Sequence, residues 1–158
     1  LNNCEVHGTT RSELENPPIA PNLFDMYSVN NSNTIINGGK FGNIATTEHT
    51  EMTINDGAVI NSLHWYGINN ARKQNMLTIN SAEIGTLYLS STYFKRYPPR
   101  ILITSDAKID VINITVNTNT SRMAIEPGAQ VGKVIVLGDE MTLEEFIDNY
   151  NIASSMTL

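Results

Sequence analysis

Aliphatic residues recur along the chain in a pattern that repeats five times. Each repeat starts with an anchoring isoleucine, and the anchors are Ile36, Ile54, Ile79, Ile103 and Ile125. A turn-like group follows each anchor and leads to a small residue, and apolar residues return two and five positions after that residue. Self-similarity of this kind indicates a repeat architecture, in which each unit buries its apolar face against its neighbours.

Within each repeat, apolar and polar residues alternate with the period of a β-strand. Leu63 and Trp65 are expected on one face and His64 on the other, where Tyr88 and Asn113 would continue an outward row in the next coils. One coil alone cannot bury its apolar face. Coils stacked about 4.8 Å apart would form strand ladders around a continuous core.

The same alignment predicts which polar side chains lie above one another on the outside. Asn37, Asn55 and Asn80 each follow an anchor directly, which predicts a ladder of hydrogen-bonded amides. Glu83 and Lys108 are one coil apart and are expected to form an exposed ion pair, which contributes little to stability.

The anchors recur every 18 to 25 residues, which excludes the six-residue period of hexapeptide solenoids. The consensus of leucine-rich repeats is also absent. Coils of this length with variable loops resemble the right-handed parallel β-helix superfamily of pectate-lyase-like enzymes and bacteriophage tailspikes. The resemblance covers roughly residues 25–137, and the segment SNTIINGGKFGN at 32–43 is similar to an opening coil. It implies an all-β, right-handed parallel β-helix (solenoid) of about five coils; a β-sandwich or roll of short strands is the alternative.

Both ends of the chain depart from the repeat. Residues 1–24 contain Asn-Pro-Pro-Ile-Ala-Pro and little periodicity, which predicts an extended N-terminal arm or linker. The β-helix domain would then occupy 25–138, followed by a C-terminal helical cap and tail at 139–158. Thr142 and Glu145 form a capping-box pattern at the start of a short helix. The apolar face of this helix is expected to plug the open end of the last coil.

Composition narrows the classes of partner and cofactor. The net charge is −6 and 16% of residues are charged, so the chain is a poor general partner for nucleic acid phosphates. No apolar stretch has the length of a membrane-spanning helix, so membrane insertion is not expected. Cys4 and His7 have the spacing of half a zinc site but lack a second pair. No phosphate-binding loop or nucleophile motif occurs, so no metal and no cofactor are predicted.

Two segments, 66–76 and 90–100, concentrate basic and aromatic residues. They would leave successive coils after equivalent strands and therefore lie side by side. Arginine pairs with carboxylates in a fork and aromatic rings pack on sugars, which favours an anionic glycan as ligand. A subunit interface, simple packing on the solenoid wall, or stacking with single-stranded nucleic acid would use the same residue types. The candidate binding residues are Tyr66, Arg72, Lys73, Tyr93, Phe94, Lys95, Arg96, Tyr97 and Arg100.

An enzymatic function would need a pair of carboxylates on one wall. Asp56 and Asp106 would lie about 10 Å apart, within the range of an inverting glycosidase, and Asp110 and Glu83 are further candidates. Aspartate is, however, the expected turn residue at such positions. We therefore predict no catalytic residues.

The resemblance of the coils to this superfamily implies a non-catalytic structural or receptor-binding module of a phage tail spike, tail fibre or head fibre. The resemblance implies a homotrimer on a virion or another extracellular surface, in contact with a host surface polysaccharide. The alternatives are a polysaccharide depolymerase of the same superfamily, acting as a lyase or hydrolase, and a secreted bacterial adhesin.

Overall fold

The computed structural model describes residues 2–6, 26–28, 33–46, 50–66 and 76–156. The described chain is a parallel β-solenoid of about four turns with one short C-terminal α-helix. The five anchors bound four complete turns, so the predicted number of about five coils is slightly too high. The elements are β1 (Asn2–Val6), β2 (Met26–Ser28), β3 (Asn33–Thr46), β4 (Glu51–Trp65), β5 (Met76–Ile79), β6 (Glu83–Leu89), a 3₁₀ helix (Thr92–Lys95), β7 (Arg100–Ile103), β8 (Lys108–Ile114), β9 (Met123–Ile125), β10 (Gln130–Val136), β11 (Asp139–Met141) and α1 (Leu143–Tyr150).

Each turn contributes to two parallel ladders. The first ladder joins the beginnings of β3 and β4 to β5, β7 and β9, and the second joins their ends to β6, β8 and β10. The chain bends between the ladders, where the register of β3 and β4 shifts between Asn37 and Gly39. Gly38 and Gly57 have φ of 82° and 79° at this bend, a conformation that glycine adopts without a steric penalty.

The core consists of columns of aliphatic side chains, one from each coil. Ile36, Ile54, Ile79, Ile103 and Ile125 pair in register along the first ladder and are all buried. The predicted stacking is therefore confirmed. The second ladder carries two further buried columns, one of Ile44, Leu63, Leu87, Ile112 and Val134, and one of Trp65, Leu89, Ile114 and Val136.

The outward positions follow the same alignment. Asn55 Nδ2 donates to Asn37 Oδ1 at 2.6 Å, and Asn80 Nδ2 donates to Asn55 Oδ1 at 3.0 Å, which confirms the predicted amide ladder. Lys108 Nζ lies 3.3 Å from Glu83 Oε1, and both side chains are more than half exposed. The ion pair is thus present as predicted, in the solvent-screened setting where such pairs contribute little.

The first strands extend the solenoid before β3. Residues of β1 pair in parallel with 37–41 of β3, and β2 pairs with 44–46. Part of the segment expected to be an extended arm is therefore a strand of the sheet. Short strands of this kind carry a weak sequence pattern, and the Pro-rich residues that follow β1 lie outside the described part of the chain.

The C-terminal segment closes the last coil, as predicted. β11 pairs antiparallel with β10, and Phe146 of α1 is fully buried in the core. Ile125 N donates to the carbonyl oxygen of Ala153 at 2.9 Å, so that the tail covers the last strand of the first ladder. The capping box is formed: Glu145 N donates to Thr142 Oγ1 at 3.2 Å and Thr142 N donates to Glu145 Oε2 at 2.8 Å. Where β11 and the tail pair with these two strands, they occupy backbone groups at which another chain could otherwise pair.

Candidate functional site

The two candidate loops leave the solenoid at the same level. Trp65 pairs with Leu89, so β4 and β6 end together and the loops that follow them start side by side. Leu89 also pairs with Ile114, which starts a third loop, 115–122, in the next coil. Asn119 N donates to the carbonyl oxygen of Phe94 at 3.1 Å and thereby joins the third loop to the second.

Phe94 anchors the second loop to the core. Its side chain is fully buried among the apolar columns, although the sequence placed it among the ligand-contacting residues. The 3₁₀ helix is closed by a hydrogen bond from Phe94 N to the carbonyl oxygen of Ser91 at 3.1 Å. Burial of a phenyl ring stabilises the fold by several kcal/mol, on the order of 2–3. A ligand on the surface therefore has no access to this ring.

Four of the residues that follow Phe94 reach the solvent. Lys95 and Arg96 are exposed, and Tyr97 and Arg100 are half-buried. The guanidinium carbon of Arg96 lies 5.3 Å from the centroid of the Tyr97 ring, within the range of a cation–π interaction. We call the set Tyr66, Lys95, Arg96, Tyr97 and Arg100 the ridge.

Tyr66 occupies the start of the first loop. It is half-buried, and its backbone N–H donates to Thr46 Oγ1 at 3.0 Å. Arg72 and Lys73, the basic residues predicted for this loop, lie outside the described residues. For Tyr93 the structure describes the backbone within the 3₁₀ helix and not the side chain.

Sequence reasoning missed one basic neighbour of the ridge. Arg122 is exposed and precedes β9 as Arg100 opens β7, and the pairing of Ile101 with Met123 places the two arginines one coil apart, about 4.8 Å. Ile101 N donates to the carbonyl oxygen of Arg122 at 3.3 Å. The sequence does contain a pattern that predicts this neighbour, because Arg100 and Arg122 each lie three residues before an anchor isoleucine.

An aromatic stack lies on the outer face of the second ladder, next to the origin of the loops. The rings of His64 and Tyr88 are 4.4 Å apart between centroids and inclined by 13°. Burial lowers the pKa of His64 below its ordinary value near 6.5, because desolvation disfavours the charged imidazolium. The imidazole of His64 therefore favours its neutral form more than an exposed histidine does.

The carboxylates considered for catalysis serve local structure or face solvent. Asp56 Oδ1 accepts a hydrogen bond from Gly57 N at 2.9 Å, which is the use expected of aspartate at a bend. Asp106 is exposed in the turn before β8. Among the described residues, no group of three or more His, Cys, Asp or Glu side chains could hold a metal ion. In the same residues, no helix has the length and apolar character needed to cross a membrane.

A parallel solenoid is a scaffold for binding modules and enzymes alike, so the fold alone does not select a function. A function for this chain must therefore be inferred from the surface chemistry of the ridge. No protein-family model, no curated protein and no solved structure matches this chain.

Proposed function

We propose that this chain is a non-catalytic β-solenoid module that contacts an anionic surface glycan through the ridge. The observation that supports this proposal is the presence of Lys95, Arg96, Tyr97 and Arg100 in one surface segment of an acidic chain. Cationic and aromatic groups at one place match a ligand that carries carboxylates on sugar rings.

The ridge offers two kinds of contact. The guanidinium of Arg96 presents donors in a planar fork that fits a carboxylate in bidentate fashion. The neighbouring Tyr97 supplies apolar ring surface and a hydroxyl that donates or accepts a hydrogen bond. Lys95 adds a flexible cation that strengthens attraction without fixing geometry. The three residues thus combine attraction for acidic sugars with a means of orienting them.

Contacts with the core and with the neighbouring loop fix the backbone of the loop that carries Lys95, Arg96 and Tyr97. The buried ring of Phe94 and the hydrogen bond from Asn119 N to the Phe94 carbonyl oxygen fix the backbone beneath the ridge. A loop ordered before binding loses less conformational entropy when a ligand arrives. Support of this kind favours a recognition surface over a loop that only connects two strands.

We place the module on a virion or another extracellular surface, as part of a trimeric phage spike or fibre. The support for this setting is the resemblance of the repeats to the right-handed β-helix superfamily. The solution mass, measured by light scattering on a sizing column, tests the assembly. A trimer would have three times the 17.5 kDa of one chain, and a monomer would contradict the trimeric setting while leaving the ridge to be tested separately.

Binding to immobilised polygalacturonate, with neutral dextran as the reference, tests the ridge itself. The variant Arg96→Ala/Tyr97→Ala is expected to bind polygalacturonate about tenfold more weakly, since it loses a charged hydrogen-bonding group. Lys133→Ala is the matched control for charge, because Lys133 pairs with Glu140 at 2.8 Å on another part of the surface.

Three results would contradict the proposal. Equal binding by the ridge variant and the Lys133→Ala control would show that the contact is non-specific. Loss of the oligomeric state in the ridge variant would identify the ridge as a subunit interface. Release of reducing ends or unsaturated sugars from the polysaccharide would identify a depolymerase.

A further inference from the structure

The C-terminal cap covers only part of the last strand. β11 pairs with Val134, Ile135 and Val136 of β10 and ends there. Beside the preceding residues of β10 lies a groove of about 490 Å³, which is within the size range of small-molecule sites. Its lining combines three polar residues, Lys108, Asp110 and Gln130, with four apolar ones, Ile109, Ala129, Val131 and Leu143.

The floor of the groove is backbone. A Cβ atom at Gly132 would lie 2.6 Å from the carbonyl oxygen of Asp110, so glycine lets β10 approach β8 and leaves this point without a side chain. Gln130 N donates to the carbonyl oxygen of Ala107 at 2.9 Å, towards β8. Because peptide groups alternate in direction along a strand, the N–H and C=O of Val131 point the other way, to the edge that lines the groove.

The charges of the groove balance. Lys108 and Asp110 are two residues apart on one strand, so their ammonium and carboxylate groups lie on the same side of the sheet. Lys108 also lies 3.3 Å from Glu83. The two charges of the lining offset each other, and Glu83, which pairs with Lys108 from outside the lining, makes the surroundings unfavourable for an anion. A hydroxyl both donates and accepts hydrogen bonds, and so matches an ammonium donor, a carboxylate acceptor and the amide of Gln130 together.

The apolar half of the lining completes the match to a sugar. Leu143, at the first turn of α1, faces the groove together with Ala129 and Val131, and they offer a surface on which the C–H face of a pyranose ring can pack. We propose that this groove binds one neutral hexopyranose unit, oriented by Asp110, Gln130 and Lys108.

This site is separate from the ridge. The groove lies at the start of β8, whereas the loops that carry the ridge adjoin the end of β8. The seven residues of this strand, at the rise of a β-strand, separate the groove from the ridge by roughly 20 Å. The inference therefore does not depend on the proposed contact between the ridge and an anionic glycan. Each site can fail in experiment without the other.

Chemical-shift titration of the ¹⁵N-labelled full chain tests the groove. The probes are the methyl α-glycosides of glucose, galactose and mannose, with glucuronate and glucosamine as charged counterparts. We expect at least one neutral glycoside to shift the amide signals of Gln130, Val131 and Gly132. Asp110→Ala is expected to weaken that binding about tenfold or more, because it removes a charged acceptor for sugar hydroxyls.

Asp148→Ala is the matched control, since Asp148 is an exposed aspartate on α1 that does not line the groove. It should leave the affinity unchanged, and an unchanged melting temperature of Asp110→Ala should show that its fold is intact. Gln130→Trp, which fills the groove, should abolish the shifts. The ridge variant Arg96→Ala/Tyr97→Ala should bind the glycoside as the wild type does.

The proposal is overturned if the neutral glycosides shift no groove signals, or if Asp110→Ala and Asp148→Ala bind equally well. Tighter binding of glucuronate or glucosamine than of every neutral glycoside would overturn the choice of a neutral ligand. Shifts caused by a short extended peptide but by no glycoside would show that this edge of β10 is a strand-pairing site.

Discussion

Gly85 allows a direct test of how tightly the coils stack. It lies in the middle of β6, where replacement of glycine by alanine ordinarily stabilises a strand by about 0.5–1 kcal/mol. Here a Cβ atom would lie 2.5 Å from the carbonyl oxygen of Asn61 in the preceding coil and 3.4 Å from its carbonyl carbon. We therefore expect Gly85→Ala to destabilise the protein, against the general trend.

The size of the effect follows from the contact that must be relieved. The atom nearest to the added Cβ belongs to the backbone of Asn61, so no side-chain rotation can relieve the clash. Strand β6 must instead move away from β4. Overpacking of this kind costs about 1–3 kcal/mol, and weakening one ladder hydrogen bond adds about 1. The lower entropy of the unfolded alanine chain offsets roughly 0.4–1 kcal/mol. The net expectation is a loss of about 2 kcal/mol.

Chemical denaturation and thermal melting measure this loss. For a domain of this size, about 2 kcal/mol corresponds to a fall in Tm of roughly 4–8 °C. Gly132→Ala should behave similarly, because its Cβ atom would lie 2.6 Å from the carbonyl oxygen of Asp110. Thr86→Ala, on the same strand as Gly85, is the control for strand propensity and should change stability by less than about 0.5 kcal/mol. If Gly85→Ala were as stable as the wild type, the inferred close approach of the coils would be wrong.

Three further predictions concern the turn, the amide ladder and the stacked histidine. Leu137 and Gly138 form a two-residue hairpin turn with φ of 53° and 96°. Because asparagine tolerates a positive φ better than leucine does, Leu137→Asn should stabilise the fold by about 0.5–1 kcal/mol in denaturant titrations. If stability did not rise, the turn geometry would be contradicted. Asn55→Ala removes the central amide of its ladder and should cost about 1 kcal/mol, whereas Asn61→Ala, at an exposed position outside the ladder, should cost less than half of that. The pKa of His64 is lower in the folded than in the unfolded chain, so the unfolded chain binds the proton first as the pH falls. The contribution of the neutral imidazole to stability is therefore present above pH 6.5 and is lost below it. His64→Gln should flatten the dependence of Tm on pH between about 7.5 and 5, and an unchanged slope would contradict this assignment.

The core columns and the outward pairs of the repeat were predictable from the sequence. The anchor isoleucines, the amide ladder of Asn37, Asn55 and Asn80, and the pairing of Glu83 with Lys108 all follow from one alignment of the coils. Each of these features depends on the same residue-to-residue register, so one correct alignment predicts them all. The capping box at Thr142 was also predictable, because it is a contact between residues three apart in the chain.

What the sequence did not predict depends on contacts outside the repeat. Phe94 is an aromatic residue in a basic segment, and its burial follows from a 3₁₀ turn that directs its ring inward, for which the repeat contains no precedent. The groove requires Leu143 of the cap to lie beside Gln130 and Val131 of the last coil. No local pattern specifies how a helix settles on the end of a solenoid. By contrast, Arg122 could have been found by extending the alignment three residues before each anchor.

The solenoid separates the residues that determine the fold from those available for binding. In β8, Ile109, Ile112 and Ile114 are buried in the core columns, whereas Lys108 and Asp110 point outward from the same strand. Exchange of an outward residue leaves the stacking of the columns untouched, and surface substitutions of this kind usually change stability by less than about 0.5 kcal/mol. Gly85 and Gly132 depart from this separation, because in each the absence of a side chain is required by the carbonyl group of the preceding coil. Substitutions at the ridge and at the side chains around the groove can therefore change the surface chemistry without disturbing the stacked coils, whereas substitutions at these two glycines cannot.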